Sequence, residues 1–280
     1  MPRPTETRHL LPVIIAISFV AYLVCVLLLS GRFAGQTPAS RAIGVSAGIM
    51  GWALHGWVLY MVVLAVPGLA LNTGSAMSLV GWMIAGMGLV FLLRPAYTGL
   101  AVVLVGMAGL TVVLTGLGGP GFSNPELGWP LKAHILLSVA AYSLLSIAAA
   151  LALLLAIQDK RLRSHQPIGW LRRLPAMDTM ENMMFGAINI GFIGLTLALF
   201  SGLIFVDNLF AQHLVHKTVL SLISWAVFGT LALGRWRFGW RGRTALRWVL
   251  GGFVILALAY FGSKIVLELL LGQHWDAGGF

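Results

Sequence analysis

Charge is what this chain has least of. Only 9% of its 280 residues are charged and eight are acidic, while 59% are hydrophobic and the mean hydropathy is +0.93. No water-soluble domain can cover that much apolar surface, so the solvent is lipid. Cysteine is nearly absent as well. The single Cys25 excludes a disulfide framework, a C-x-x-C pair and a C-x-x-C-H site. There is no phosphate-binding glycine loop, no G-x-S-x-G elbow and no H-E-x-x-H. No acidic pair lies inside an apolar run, which argues against a proton-coupled pump. The short alternating segments of a β-barrel are missing, and the periodicity is helical throughout. No strict internal repeat stands out.

What is present is a series of apolar runs. A bilayer core of roughly 30 Å needs about 17–25 residues per helix. Eight runs qualify, near 10–30, 42–66, 75–93, 96–117, 131–157, 185–206, 215–234 and 245–271, separated by breaks rich in Pro, Gly or charge. The sequence therefore predicts an all-α integral membrane protein with eight transmembrane helices in one polytopic domain, 1–280. The first run is too long for a signal h-region and no A-x-A-like site follows it, so it is expected to be retained.

The net charge of +10 invites a nucleic-acid partner, and its distribution argues against one. With the N-terminus outside, the inner loops hold Arg32, Arg41, Arg94, Lys160, Arg161, Arg163, Arg172, Arg173, Arg235, Arg237, Arg241, Arg243 and Arg247. The outer segments hold only Arg3, Arg8, Lys132 and Lys217, and Lys264 lies in the last run. This bias predicts both termini on the outer side. The positive charge sets orientation.

In that topology six of the seven histidines fall towards the outer face. His9 and His213 read as ordinary interfacial residues, and only His165, among arginines, lies inside. His134 opens the fifth run, His216 precedes the seventh, and His274 follows the eighth. His55 lies about 13 residues into the second run, roughly 20 Å across. An ionisable group at that depth is a functional candidate or a hydrogen-bonding glue. Gly44, Gly48, Gly51 and His55 share one helical stripe, which would suit close helix packing or a flat macrocycle. His134 begins a comparable stripe with Ser138, Ala141 and Tyr142. Lys264 and Glu268, four apart, suit an internal ion pair or the binding of an anionic carboxylate. Trp129, Trp225 and Trp275 suit an interfacial belt or an aromatic wall. Histidines converging near one face are suited to hold a metal or haem.

The second half carries a resemblance. The run H-I-L-L-S-V-A-A-Y-S from His134, the segment L-P-A-M-D-T-M-E-N-M-M-F from Leu174 continuing through G-F-I-G-L-T-L-A-L-F-S-G, F-G-W-R-G-R from Phe238, L-A-Y-F-G-S-K from Leu258 and L-G-Q-H-W from Leu271 together resemble the cytochrome c assembly (CcsA-like) haem-handling family. Residues 131–276 carry it, and the subgroup most similar is the eight-span HemX/YpjD-like one. Spans one to four match in hydropathy and in the S-L-V-G-W run from Ser78. The resemblance implies haem b as cofactor, with His134 and His274 as axial ligands of the iron, His55 as the intramembrane histidine and Lys132, Lys217 or Lys264 near the propionates. Two departures stand out. Before the seventh run the chain reads V-D-N-L-F-A-Q-H-L-V-H-K, without the family's W-x-W-D segment, and the second intramembrane histidine is replaced around Leu233-Gly234. A five-coordinate haem, or His216 as substitute ligand, would follow.

The expectation is therefore a multi-pass protein of the bacterial inner membrane that binds haem and presents it at the outer face. Its partners would be the lipid bilayer, haem and other cytochrome c biogenesis membrane proteins, with no nucleic acid. No bond-making on a substrate is required, so an enzyme is not expected. The alternative is a membrane regulatory or interaction protein that keeps the fold without haem and docks a partner through the basic 158–182 loop. A small-solute transporter fits less well, because paired charges and broken half-helices at mid-membrane are lacking.

Overall fold

The computed structural model describes residues 4–31, 37–65, 71–117, 128–164, 172–205 and 215–265. Eight long helices account for most of them: α1 (Pro4–Leu29), α2 (Pro38–Leu59), α3 (Thr73–Phe91), α4 (Thr98–Leu117), α5 (Trp129–Arg163), α6 (Met177–Phe205), α7 (Val215–Phe238) and α8 (Gly242–Ile265). Each contains or forms a span long and apolar enough to cross a membrane. The protein is a multi-pass, all-helical membrane protein, and the eight runs read from hydropathy are its eight helices.

The helix ends differ from the apolar runs for a physical reason. A helix keeps its backbone hydrogen bonds past the end of the lipid-facing segment if its polar residues find partners. So α5 runs on to Arg163, with Lys160, Arg161 and Arg163 in its last turn, where cations suit the helix dipole. Likewise α6 starts at Met177 rather than near 185, with Asp178 in its first turn. Two starts are capped by side chains. Thr37 and Ser40 form a reciprocal capping box on α2, with Pro38 at its first position. Asn72 and Ser75 do the same for α3, satisfying amides that lipid cannot. After His55, α2 passes into a π-helical turn, Tyr60–Leu64.

The chain divides into two compact units: residues 1–127 with 167–176, and residues 128–166 with 177–280. In the first unit α1 packs on α2 and α4, and α3 packs on α2 and α4. The glycine stripe of α2 is filled by α1. An added Cβ would lie 2.9 Å from a Leu29 side-chain carbon at Gly44, 2.9 Å from Cys25 Sγ at Gly48 and 3.1 Å from Tyr22 at Gly51. Tyr22, Cys25, Leu29, Ala85, Leu92, Ala101, Val105 and Ala108 form the buried cluster beneath it. At the arginine-rich end, Arg41 donates to Thr98 Oγ1 at 3.0 Å and to the Leu92 carbonyl at 2.6 Å. The 172–176 segment lies against this unit: Leu174 is buried, and the backbone at Arg173 and Leu174 closes directly on Gly99. Arg173 also donates to the Gly31 carbonyl at 3.4 Å.

In the second unit α5 packs on α6 and α8, and α7 on α6 and α8. Gly191 takes Leu145, Gly194 takes Ala141 and Gly202 takes His134. Partners on α6 descend as those on α5 ascend, so the two helices are antiparallel with a small-residue face between them. Ser224 of α7 donates to the Gly252 carbonyl of α8 at 3.0 Å. Between α7 and α8 the chain reverses through Gly239 (φ 65) and Gly242 (φ 56), where only glycine is unstrained. Carboxylates hold this turn. Glu181 takes Arg235 and Arg241, both at 3.1 Å, Asp178 also takes Arg241 at 3.1 Å, and Asp159 takes Arg163 and Arg243 at 2.9 and 3.0 Å. The D-T-M-E and W-R-G-R segments, distant in sequence, are thus one ionic cluster. Glu181→Gln removes the charge shared by two arginines while keeping the side chain's shape. It is expected to cost about 2 kcal/mol and to lower the thermal midpoint of helix loss in detergent; an unchanged midpoint would mean the cluster is only superficial.

Candidate functional site

Two histidine side chains are described, one in each unit. His55 of α2 is fully buried, and so are its neighbours Ser78 of α3 and Ser18 of α1. Its Nδ1 lies 3.3 Å from the Tyr22 hydroxyl, and its Nε2 lies 2.7 Å from Ser78 Oγ. Ser78 in turn accepts from Thr115 Oγ1 at 2.5 Å. One polar side chain from each of α1, α2, α3 and α4 therefore joins a single buried chain of hydrogen bonds. Beside it, Ser18 donates to the Gly51 carbonyl at 2.8 Å. In lipid such polar groups find each other because nothing else is available to them.

A tryptophan clasp flanks this chain. Trp52 of α2 and Trp82 of α3 stack with centroids 4.8 Å apart and planes within 5°. Each indole donates to the other residue's carbonyl, at 3.1 and 2.9 Å. Each ring also lies over a glycine four residues beyond its partner: Trp82 over Gly56 and Trp52 over Gly86. The same G-W-x-x-x-G pattern thus occurs at Gly51–Gly56 and Gly81–Gly86. It is too short to count as a strict internal repeat, and the matched spacing is its signal in the sequence.

His134 stands in a different setting. It is half-buried near the start of α5, and its Nδ1 lies 2.8 Å from Ser201 Oγ in the last turn of α6. Ser201 directs its own hydroxyl proton to the Ala198 carbonyl at 2.9 Å. Its oxygen can then only accept from the ring, which places the proton on Nδ1 and the lone pair on Nε2. The Ala198 carbonyl, which takes the Ser201 proton, also accepts from the ring, and no described side chain bonds Nε2. Gly202 lies under the ring: an added Cβ would come within 3.1 Å of His134 Cε1. The rest of the stripe faces inward. Ser138 bonds back to the His134 carbonyl at 2.8 Å, Ala141 is buried on Gly194, and Tyr142 packs on Phe253 and Tyr260 of α8. Trp225 of α7 donates to Thr196 Oγ1 at 2.9 Å and stacks on Phe192.

The other residues singled out by sequence are not all placed. His274, His213, His165, Glu268 and Trp275 lie outside the described residues, as do the side chains of His9, His216 and Lys264, although the last three fall on helices α1, α7 and α8. Ser201 and Gly202 were missed as partners of His134, yet both stand in the L-F-S-G run that carried the resemblance. Ser78, which holds His55, opens the S-L-V-G-W run.

Comparison with known proteins extends the match beyond the second half. The chain is similar to the inner membrane protein YpjD of Escherichia coli, 40% identical over 140 residues, covering 50% of this chain and 53% of that protein. An uncharacterized 28.8 kDa protein of Azospirillum brasilense is 35% identical over 144 residues, covering 51% and 53%. The cytochrome c biogenesis protein CcsA of Gloeothece citriformis is 27% identical over 122 residues, covering 43% of this chain and 37% of that protein. The matched region thus spans about half the length, or less, of these curated relatives. No solved structure matches. The sequence pattern of the family described as Cytochrome C assembly protein matches residues 43–271, reaching back through α2, α3 and α4, where only hydropathy and the S-L-V-G-W run carry the resemblance. With that match across most of its length, the chain belongs to the cytochrome c assembly protein family.

Proposed function

We propose that this protein handles haem for cytochrome c assembly in a bacterial inner membrane, binding b-type haem at the outer face. The observation that carries the reading is His134: its Nδ1 is held by Ser201, and no described side chain engages the lone pair on its Nε2. When bound, haem supplies an iron whose axial position a neutral imidazole can fill. The donor chemistry fits that group at His134. It does not fit at His55, where iron at Nε2 would have to displace Ser78 from a bond of 2.7 Å. In this reading His134 and His274 would ligate the iron, Lys132, Lys217 or Lys264 would meet the propionates, and His216 is not needed as a substitute. His55 holds the first unit together. Both termini lie outside, and other cytochrome c biogenesis membrane proteins are the partners. The name of the Gloeothece citriformis relative supports the assembly role.

The test is an absorption spectrum of the detergent-purified protein with added haemin, oxidised and then dithionite-reduced. A Soret band is expected, weakened in His274→Ala. The absence of any band would overturn the reading. One observation favours the rival, a regulatory protein without haem: His55 has both ring nitrogens engaged. Its proposed docking run is partly spent, however, because Leu174 is buried and Arg173 reaches back to Gly31.

A further inference from the structure

We infer that Ser201 and Gly202 are positioning residues that fix His134 in its Nδ1-protonated form and make it a ligand of moderate strength, suited to passing haem on rather than keeping it. This rests on the haem reading above.

The argument starts from the serine. A lone hydroxyl beside an imidazole can donate or accept, and so selects neither tautomer. Ser201 is not in that position, because its proton is committed to the Ala198 carbonyl within its own helix at 2.9 Å. The hydroxyl oxygen is left as an acceptor only, 2.8 Å from Nδ1. The ring proton is drawn to Nδ1, the Ala198 carbonyl also accepting from the ring, and the lone pair is left on Nε2. The ring plane is set separately. Gly202 follows directly and leaves the space that Cε1 occupies, so any side chain there would press on the carbon between the two nitrogens. Adjacent residues on one turn of α6 thus control both the protonation and the tilt of a ligand on α5.

The strength of the ligand follows from what holds Nδ1. A carboxylate at this position makes an imidazole more basic and binds the metal more tightly, and exchanging such an outer partner changes affinity about 10–100-fold. Here the partner is a neutral hydroxyl. The described carboxylates that could have served, Asp159, Asp178 and Glu181, are all engaged with arginines at the opposite end of the helices. His134 is thus oriented as a ligand without being strengthened as one.

The test has one arm that needs no haem. In the haem-free protein with 15N-labelled histidine, the His134 resonances are assigned by their loss in His134→Ala. The wild type and Ser201→Thr, which keeps the hydroxyl, are expected to carry the proton on Nδ1, and Ser201→Ala to give a mixture of tautomers. A wild-type proton on Nε2, or a Ser201→Ala spectrum identical to wild type, overturns the inference. The second arm follows transfer of haem to excess apomyoglobin. Ser201→Asp is expected to slow that transfer by roughly tenfold and to lower the reduction potential. Unchanged or faster transfer overturns the hand-over role. If Ser201→Asp does not fold, the tautomer arm still decides. Should no variant take up haemin while the tautomer bias is present, the haem reading falls and the hand-over with it.

Discussion

Detergent-purified His134→Ala is expected to lose its Soret band and to keep its fold. The variant removes the one described imidazole nitrogen that is free to meet iron, and an affinity loss of at least about a hundredfold, near 3 kcal/mol, is the scale for deleting an axial ligand. The structural cost is small by comparison. The half-buried ring bonds Ser201 and the Ala198 carbonyl around one shared proton, worth about 1 kcal/mol, and Ser201 keeps its own bond to Ala198. Haem content and thermal midpoint should therefore separate, the first collapsing while the second barely moves. Unchanged haem content would remove His134 from the site.

His55→Ala is expected to do the reverse. The ring is fully buried, and its loss strands the Tyr22 hydroxyl and interrupts the run from Thr115 through Ser78. A lost buried bond, an unsatisfied hydroxyl and the space left behind together amount to about 3 kcal/mol, tempered by the weaker worth of polar contacts in lipid. The midpoint of thermal helix loss should fall by several degrees, with haem bound per folded protein unchanged. Ser78→Ala should show a smaller fall in the same direction. A His55→Ala protein that loses haem without losing stability would mean that His55 leaves Ser78 to bind iron, and the assignment of roles would have to be exchanged.

The contrast between these histidines marks how far the sequence could be read. The eight spans were legible because lipid demands a long apolar run for each crossing, and no loop can imitate one. The ends of α5 and α6 were not, since the long-range arginine and carboxylate partners that stabilise the extra turns lie 54 to 84 residues apart in the chain. His55 was conspicuous for its depth, but its role depends on hydroxyls 23 and 33 residues away on other helices. Nothing local distinguishes a histidine so held from one waiting for iron. The partner of His134 is 67 residues away. The stripe that might have accepted a macrocycle is occupied by Leu29, Cys25 and Tyr22, a matter of which helix lies opposite, and hydropathy does not carry that information. The segments that carried the family resemblance nonetheless contained His134, Ser201 and Gly202 of one site and Ser78 of the other.

The strap over Gly99 has a consequence for how the protein is made. The first unit is not contiguous: its last piece, 167–176, leaves the ribosome only after the whole of α5. Four helices can enter the bilayer and pair, yet the gap beside Gly99 stays open until Arg173 and Leu174 arrive. Closure of the first unit therefore waits for translation of α5, the first helix of the second. A nascent chain arrested before residue 167 should be a substrate for membrane proteases, and one released a few dozen residues later should resist them.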